Sequence, residues 1–229
     1  MSEIPDLARV EVAIVERTNA FRTGQGLSML SRNGALDRAA RDFATYLAKS
    51  GKFAHEADGR QPADRTKAAG YWHCIVAENL ALNLDSRGFT VQKLAGEAIE
   101  GWKKSPGHRK NMELPYVTEI GVGVAQAMDA APKFISVQLF GRPQTLGYEF
   151  RVNNSSLHAV TYKFAGKSFE VEPRVIATHK VCQPGKLHFE RAGNWLSGKR
   201  IDAHYEVTGE TAFTLKDGPG ASVRIEVRK

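Results

Sequence analysis

The spacing of apolar residues changes period once along this chain, and that change constrains the fold more than any other feature. Up to about residue 105 the apolar positions recur every three or four residues, the signature of helices with one buried face. Leu7, Val10, Ile14, Thr18 and Phe21 form a first stripe, with Glu11, Glu16 and Arg17 between them, and Gly24 and Gly26 end it. A second stripe, Leu36, Ala39, Ala40, Phe43, Ala44 and Leu47, predicts a helix from about Ala35 to Ser50 with Gly51 as terminator. Phe53 to Gly70 is polar and punctuated by Gly59, Pro62 and Gly70, which reads as mostly loop. Leu94, Ala95, Ala98, Ile99 and Trp102 predict a third helix from about Val91 to Lys104, stopped by Pro106-Gly107.

The period then drops to two. Val117 to Ala125 and Phe134 to Phe140 alternate apolar and small or polar residues around a polar Met128–Pro132 turn, which predicts an antiparallel hairpin. Helices followed by paired strands give an α+β fold, and no glycine-rich fingerprint follows a strand as a dinucleotide fold would need. Beyond Leu146 no helical period is visible. Eight short β-type runs follow (Tyr148–Val152, Ala159–Phe164, Ser168–Val171, Arg174–His179, Lys186–Phe189, Ile201–Val207, Ala212–Leu215, Ser222–Val227), most of them bounded by Gly, Pro, Asn or Asp. They predict a small all-β sandwich or barrel. The domains expected are therefore residues 1–143 and 144–229, with Gly141-Arg142-Pro143 as linker.

Charge and cysteine content narrow the function classes. The net charge of +7 is spread, and its only dense patch is Lys103, Lys104, His108, Arg109 and Lys110. No helix interleaves base-reading residues and no aromatic RNA-binding motif appears, so nucleic acid is not an expected partner. No apolar run approaches the roughly 18 residues that span a bilayer. Two cysteines, Cys74 and Cys182, exclude a disulfide-dense scaffold or a paired-cysteine metal knuckle and leave either one disulfide or two thiols. Met1 to Ala20 carries four acidic residues and no apolar core, so it is not a signal peptide as written. Either the chain is cytoplasmic, or a leader has been removed.

Several short segments resemble one family, in order. These are Asn19 and Arg22 in Thr18-Asn19-Ala20-Phe21-Arg22; Phe53-Ala54-His55 followed by Gly59, Pro62 and Arg65; Ala77-Glu78-Asn79-Leu80-Ala81; Trp102 with Ser105-Pro106-Gly107-His108-Arg109-Lys110-Asn111; and the closing runs Thr118–Ala125 and Val137–Gly141. Together they resemble the CAP superfamily (cysteine-rich secretory, antigen 5 and pathogenesis-related 1 type), in its bacterial form, with Ala77 in place of the family's glycine. The resemblance implies an α-β-α sandwich with a cleft lined by His55, His108 and Glu78. It also implies a secreted or periplasmic location, and with it a Cys74–Cys182 disulfide. It implies nothing for residues after Pro143.

On the chemistry of the residue types, two neutral imidazoles, His55 and His108, can bind Zn²⁺ or another divalent cation. Glu78 can fix a histidine tautomer, complete the site through water or act as a general base. The alternative is that the histidines simply hydrogen-bond Glu78 and brace the loops. Many relatives carry a second glutamate where this chain has Ser105, and no nucleophile elbow is present. Asn79, Ser105 and Arg109 are expected to support the cleft, Asn79 by bonding its own loop, and Arg65 and Arg109 by pairing with carboxylates. Trp102 reads as a core anchor. His158, His179, His188 and His204 read as ordinary packing or surface residues. Two functions are consistent with this. One is a binding protein whose β module contacts envelope lipid, glycan or a protein. The other is a metal-dependent, peptidase-like hydrolase using His55, His108 and Glu78.

Overall fold

The computed structural model describes residues 4–129, 131–190, 202–219 and 222–229. The chain divides into two compact units, Met1–Thr145 and Leu146–Lys229.

In the first unit a four-stranded sheet lies between two helical layers. The helices are α1 (Leu7–Gly24), α2 (Gly34–Ser50), α3 (Pro62–Ala68), α4 (Val91–Lys104) and α5 (Pro106–Met112). The strands are β1 (Ser31–Arg32), β2 (His73–Leu84), β3 (Glu119–Ala127) and β4 (Lys133–Pro143), in the order β1-β3-β4-β2. β1 runs parallel to β3, and the other pairs are antiparallel. Asp6, Asn33 and Thr90 accept hydrogen bonds from the first free amides of α1, α2 and α4, and left-handed Gly51 closes α2.

Alternation along the strands feeds two cores. Ile120, Val122, Val124, Phe134 and Phe140 pack with Ile14, Leu94, Ile99 and Trp102 of α1 and α4. Ala125, Ile135, Val137 and Leu139 pack on the opposite face with Leu36, Phe43 and Leu47 of α2. Helix α2 lies very close to β3. A Cβ at Gly121 would come 2.3 Å from the Leu36 carbonyl carbon, and one at Gly123 would come 2.2 Å from the Arg41 nitrogen, so only glycine permits this approach.

Residues 146–229 form two further four-stranded sheets. The strands are β5 (Tyr148–Asn154), β6 (Val160–Phe164), β7 (Lys167–Val171), β8 (Ile176–Val181), β9 (Gly185–Glu190), β10 (Asp202–Val207), β11 (Thr211–Asp217) and β12 (Val223–Arg228). Their orders are β10-β9-β6-β7 and β12-β11-β5-β8, with β11 and β5 parallel. Phe150, Val152, Phe213 and Leu215 of one sheet share a core with Tyr162, Phe164, Leu187 and Phe189 of the other, so the unit is a β-sandwich.

Two sequence expectations are extended and two are corrected. The Phe53–Gly70 segment contains α3, which starts on Pro62 and is closed at its N-terminus by Asp64 accepting from the Gln61 amide at 3.1 Å. Pro106 opens α5 as well as ending α4, because a proline suits the first helical position, where its missing N–H costs nothing. Glu78 and Asn79 lie on a strand, β2, and not in a loop. Gly141-Arg142-Pro143 belongs to β4, with Gly141 paired to both Val76 and Glu119, so the linker lies further on, at the turn Gln144–Leu146.

Neither cysteine is free. Cys74 and Cys182 are both disulfide-bonded, and the chain has no others, so the bond joins them. No helix among the described residues is long and apolar enough to cross a membrane.

Candidate functional site

The candidate site is an open cleft of about 510 Å³ whose lining includes His55, Glu56, Gln61, Val76, Glu78 and Asn111. Its central charge is Glu78 on β2, whose side chain is 1% exposed. Arg65 on α3, also buried, donates from one nitrogen to Glu78 Oε1 at 3.0 Å and Oε2 at 2.8 Å. The same guanidinium reaches Asp58 Oδ1 at 2.9 Å, the Arg60 carbonyl at 2.8 Å and the His55 carbonyl at 2.9 Å. It stacks over the Phe43 ring, 3.5 Å from the centroid. Burial pushes the Asp58 carboxyl up, but the Arg60 backbone amide together with the Arg65 and Arg60 guanidiniums holds it below its ordinary range. Arg65 is therefore the hub that positions both Glu78 and the His55 backbone.

The His55 ring is half exposed and places Nδ1 2.8 Å from Glu78 Oε1. A carboxylate only accepts, so Nδ1 carries the proton and, in the neutral ring, Nε2 presents its lone pair. His108 and Asn111 stand one turn apart on α5. Buried Arg22 of α1 docks the end of that helix by donating to the Met112 and Leu114 carbonyls at 2.7 and 2.9 Å. Burial lowers the His108 pKa, and the charge of His55 lowers it further.

Behind the cleft runs a buried amide chain. Asn111 Nδ2 donates to the Glu78 carbonyl at 3.1 Å and to Asn79 Oδ1 at 2.9 Å. Asn79 Nδ2 donates to the His108 carbonyl at 3.1 Å and to Gln138 Oε1 at 3.0 Å. Gln138 Nε2 donates to Thr18 Oγ1 at 2.8 Å, and Thr18 donates to the Ile14 carbonyl. Asn79 thus bridges β2, α5 and β4, where the sequence suggested a bond within its own loop. Arg109 pairs with the carboxylate of Glu113, the residue that caps the C-terminus of α5, at 2.8 Å and lies 5.3 Å from the Phe21 ring centroid. Ser105 joins α4 to α5, its carbonyl accepting from Arg109 N, and its side chain makes no cap bond. Trp102 is 1% exposed and donates its indole N–H to the Leu80 carbonyl at 2.9 Å. Asn111 stands in a motif noted from the sequence, but nothing there marks it as a cleft residue.

The chain is matched over residues 15–140 by the model of CAP, the cysteine-rich secretory protein family. That match covers more than half of the chain. The chain belongs to the CAP family. The CAP domain is 33% identical over 118 residues to the uncharacterized protein YkwD of Bacillus subtilis (strain 168), a match that takes in 51% of this chain and 43% of YkwD, so it spans under half of that relative's length. Among solved structures it resembles an outer surface protein from Borrelia burgdorferi, with 19% identity and a TM-score of 0.51 over 62% of this chain and 99% of that one. An extracellular protein with an SCP domain from Bacillus anthracis is 24% identical, with a TM-score of 0.49 over 59% of this chain and 41% of that one.

Of the two imidazoles expected to serve a cation, His55 lines the cleft, whereas His108 stands on α5 and is not among the cleft's lining residues. Glu78, the third candidate, has both oxygens on Arg65. Among the described residues no group of three or more His, Cys, Asp or Glu is arranged to hold a metal ion. The set does not fit a resident tetrahedral zinc centre, which takes at least three protein ligands.

Proposed function

We propose that this is a secreted or periplasmic CAP protein that binds a partner in the cleft without turning it over. The observation that carries this reading is the commitment of Glu78: Arg65 takes both of its oxygens, and His55 Nδ1 shares one of them. A general base must come within reach of the proton it removes, and the Glu78 side chain is 1% exposed with three hydrogen bonds already on its two oxygens. Here the carboxylate is a brace, fixing the His55 tautomer and holding α3 to β2. A divalent cation is at most a secondary occupant, on His55 Nε2 and His108 with water completing its shell. The β-sandwich offers a second surface for an envelope glycan, lipid or protein. The disulfide supports an oxidising compartment, and the Borrelia burgdorferi and Bacillus anthracis proteins are described as outer-surface and extracellular.

The test is to incubate the full chain with cell-envelope fractions and with peptide and glycan substrates, with and without added zinc and chelator. Retention on the envelope fraction with no product is expected. Turnover that chelator abolishes, zinc restores and His55→Ala removes would establish the metal-dependent hydrolase instead.

A further inference from the structure

The hydrogen-bond polarity of the cleft is fixed from behind, and it names the chemistry of what enters. Backbone carbonyls can only accept, so the Asn111 atom facing the Glu78 carbonyl must be its nitrogen, and so must the Asn79 atom facing the His108 carbonyl. These two anchors remove the usual ambiguity of amide orientation. They set every bond from Asn111 through Asn79 and Gln138 to Thr18 in one direction. Asn111 spends both of its N–H protons, on Glu78 O and Asn79 Oδ1. Its Oδ1 receives no donor among the described residues and belongs to a side chain lining the cleft. His55 Nδ1–H is given to Glu78, so the ring in its neutral form leaves Nε2 as acceptor. At the rim, Glu56 takes one hydrogen bond, from Gln61 Nε2 to Oε1 at 2.6 Å, and keeps its other oxygen and its charge.

Among the described residues no lysine or arginine lines the cleft, although the chain carries +7 overall. Arg65 sits behind Glu78 with its charge met by Glu78 and Asp58. The cleft therefore presents acceptors and one negative charge. We infer that it selects a protonated amine, an ammonium group whose three N–H donors are met by Asn111 Oδ1, His55 Nε2 and Glu56. Such a group occurs in amino sugars and in lysyl or amino-terminal peptide ends. Carboxylates and phosphates find no cationic side chain and meet Glu56.

This inference rests on the cleft being a binding site, and three probes of equal length separate the two claims: pentane diamine, pentanediol and glutarate. They are titrated into the full chain at neutral pH, with the Asn111 side-chain amide and His55 ring followed by NMR. The diamine moves both signals saturably, about tenfold more tightly than the diol, and glutarate moves neither. Glu56→Gln weakens the diamine about threefold and leaves the diol unchanged. Glutarate binding as tightly as the diamine, or a diamine affinity unaffected by Glu56→Gln, overturns the inference. Diol or glutarate binding at these signals without diamine preference removes the amine selectivity and leaves the binding cleft standing. No response to any probe at tens of millimolar overturns both.

Discussion

The two units solve the same packing problem with different materials. Among the described residues, the β-sandwich buries aromatic and aliphatic side chains around Phe150, Phe189 and Phe213, and its buried polar residues are Asn154 and Ser156 at one turn. The CAP domain buries Glu11, Arg22, Asp37, Arg65, Glu78, Asn79 and Gln138 as well as its apolar cores. These groups are met across elements: Arg32 and Arg41 meet Glu11, Asp37 accepts from the Val122 amide, and Arg65 meets Glu78. Apolar packing tolerates substitution of similar volume, whereas a buried polar network fixes one arrangement and fails when half of it is removed. The cleft is built on the second kind of core.

This contrast can be broken or sharpened by substitution. Arg65→Met, which leaves Glu78 buried without its partner, should cost the most, about 3–5 kcal/mol of stability in urea unfolding. Asn79→Ala leaves one Asn111 N–H and Gln138 Oε1 without their partner and removes the side-chain donor from the His108 carbonyl, and should cost about 1–3 kcal/mol. A loss there below that of an exposed alanine substitution would show that the amide chain is not structural. In the sandwich, Tyr162→Phe removes a single 2.7 Å bond to His179 Nε2 and keeps the ring contacts, so about 0.5–1.5 kcal/mol is expected.

The smallest effect is one of pH. Burial pushes the Tyr162 hydroxyl up to about 12, so it donates, and burial lowers His179 below its ordinary 6.5, so the neutral ring accepts. The unfolded chain then binds more protons than the folded one just below pH 6.5. The contribution is full above that value and declines as pH falls through the window towards the folded-state pKa. Melting temperature measured between neutral and mildly acid pH should fall less steeply in His179→Asn. Equal slopes would remove His179 from the account.

How much of this was legible in the sequence follows the same divide. The eight strands of the sandwich and helices α1, α2 and α4 were readable because apolar residues mark their buried faces. Strand β2 was not, because Glu78 and Asn79 are buried polar residues and break the alternation. Glu11 lies between the apolar positions of the first stripe, where nothing marks it as buried, and is 2% exposed, its charge met by two arginines. Helices α3 and α5 begin at prolines inside polar segments and are too short to show a period. At the site, His55, Glu78 and His108 came from resemblance, and Arg65 was anticipated only as a partner for some carboxylate. The direction of the amide chain depends on two backbone carbonyls that only the fold brings into place.

The claim that Glu78 is a brace and not a base is tested most directly by a double-mutant cycle of Arg65→Met and Glu78→Gln, measured by equilibrium unfolding of the full chain. The account predicts that each single change is costly and that the double variant recovers stability, with a coupling above about 1 kcal/mol, because no buried charge is then left unpaired. Additive losses would mean that Glu78 and Arg65 act independently, and the carboxylate would again be available for chemistry.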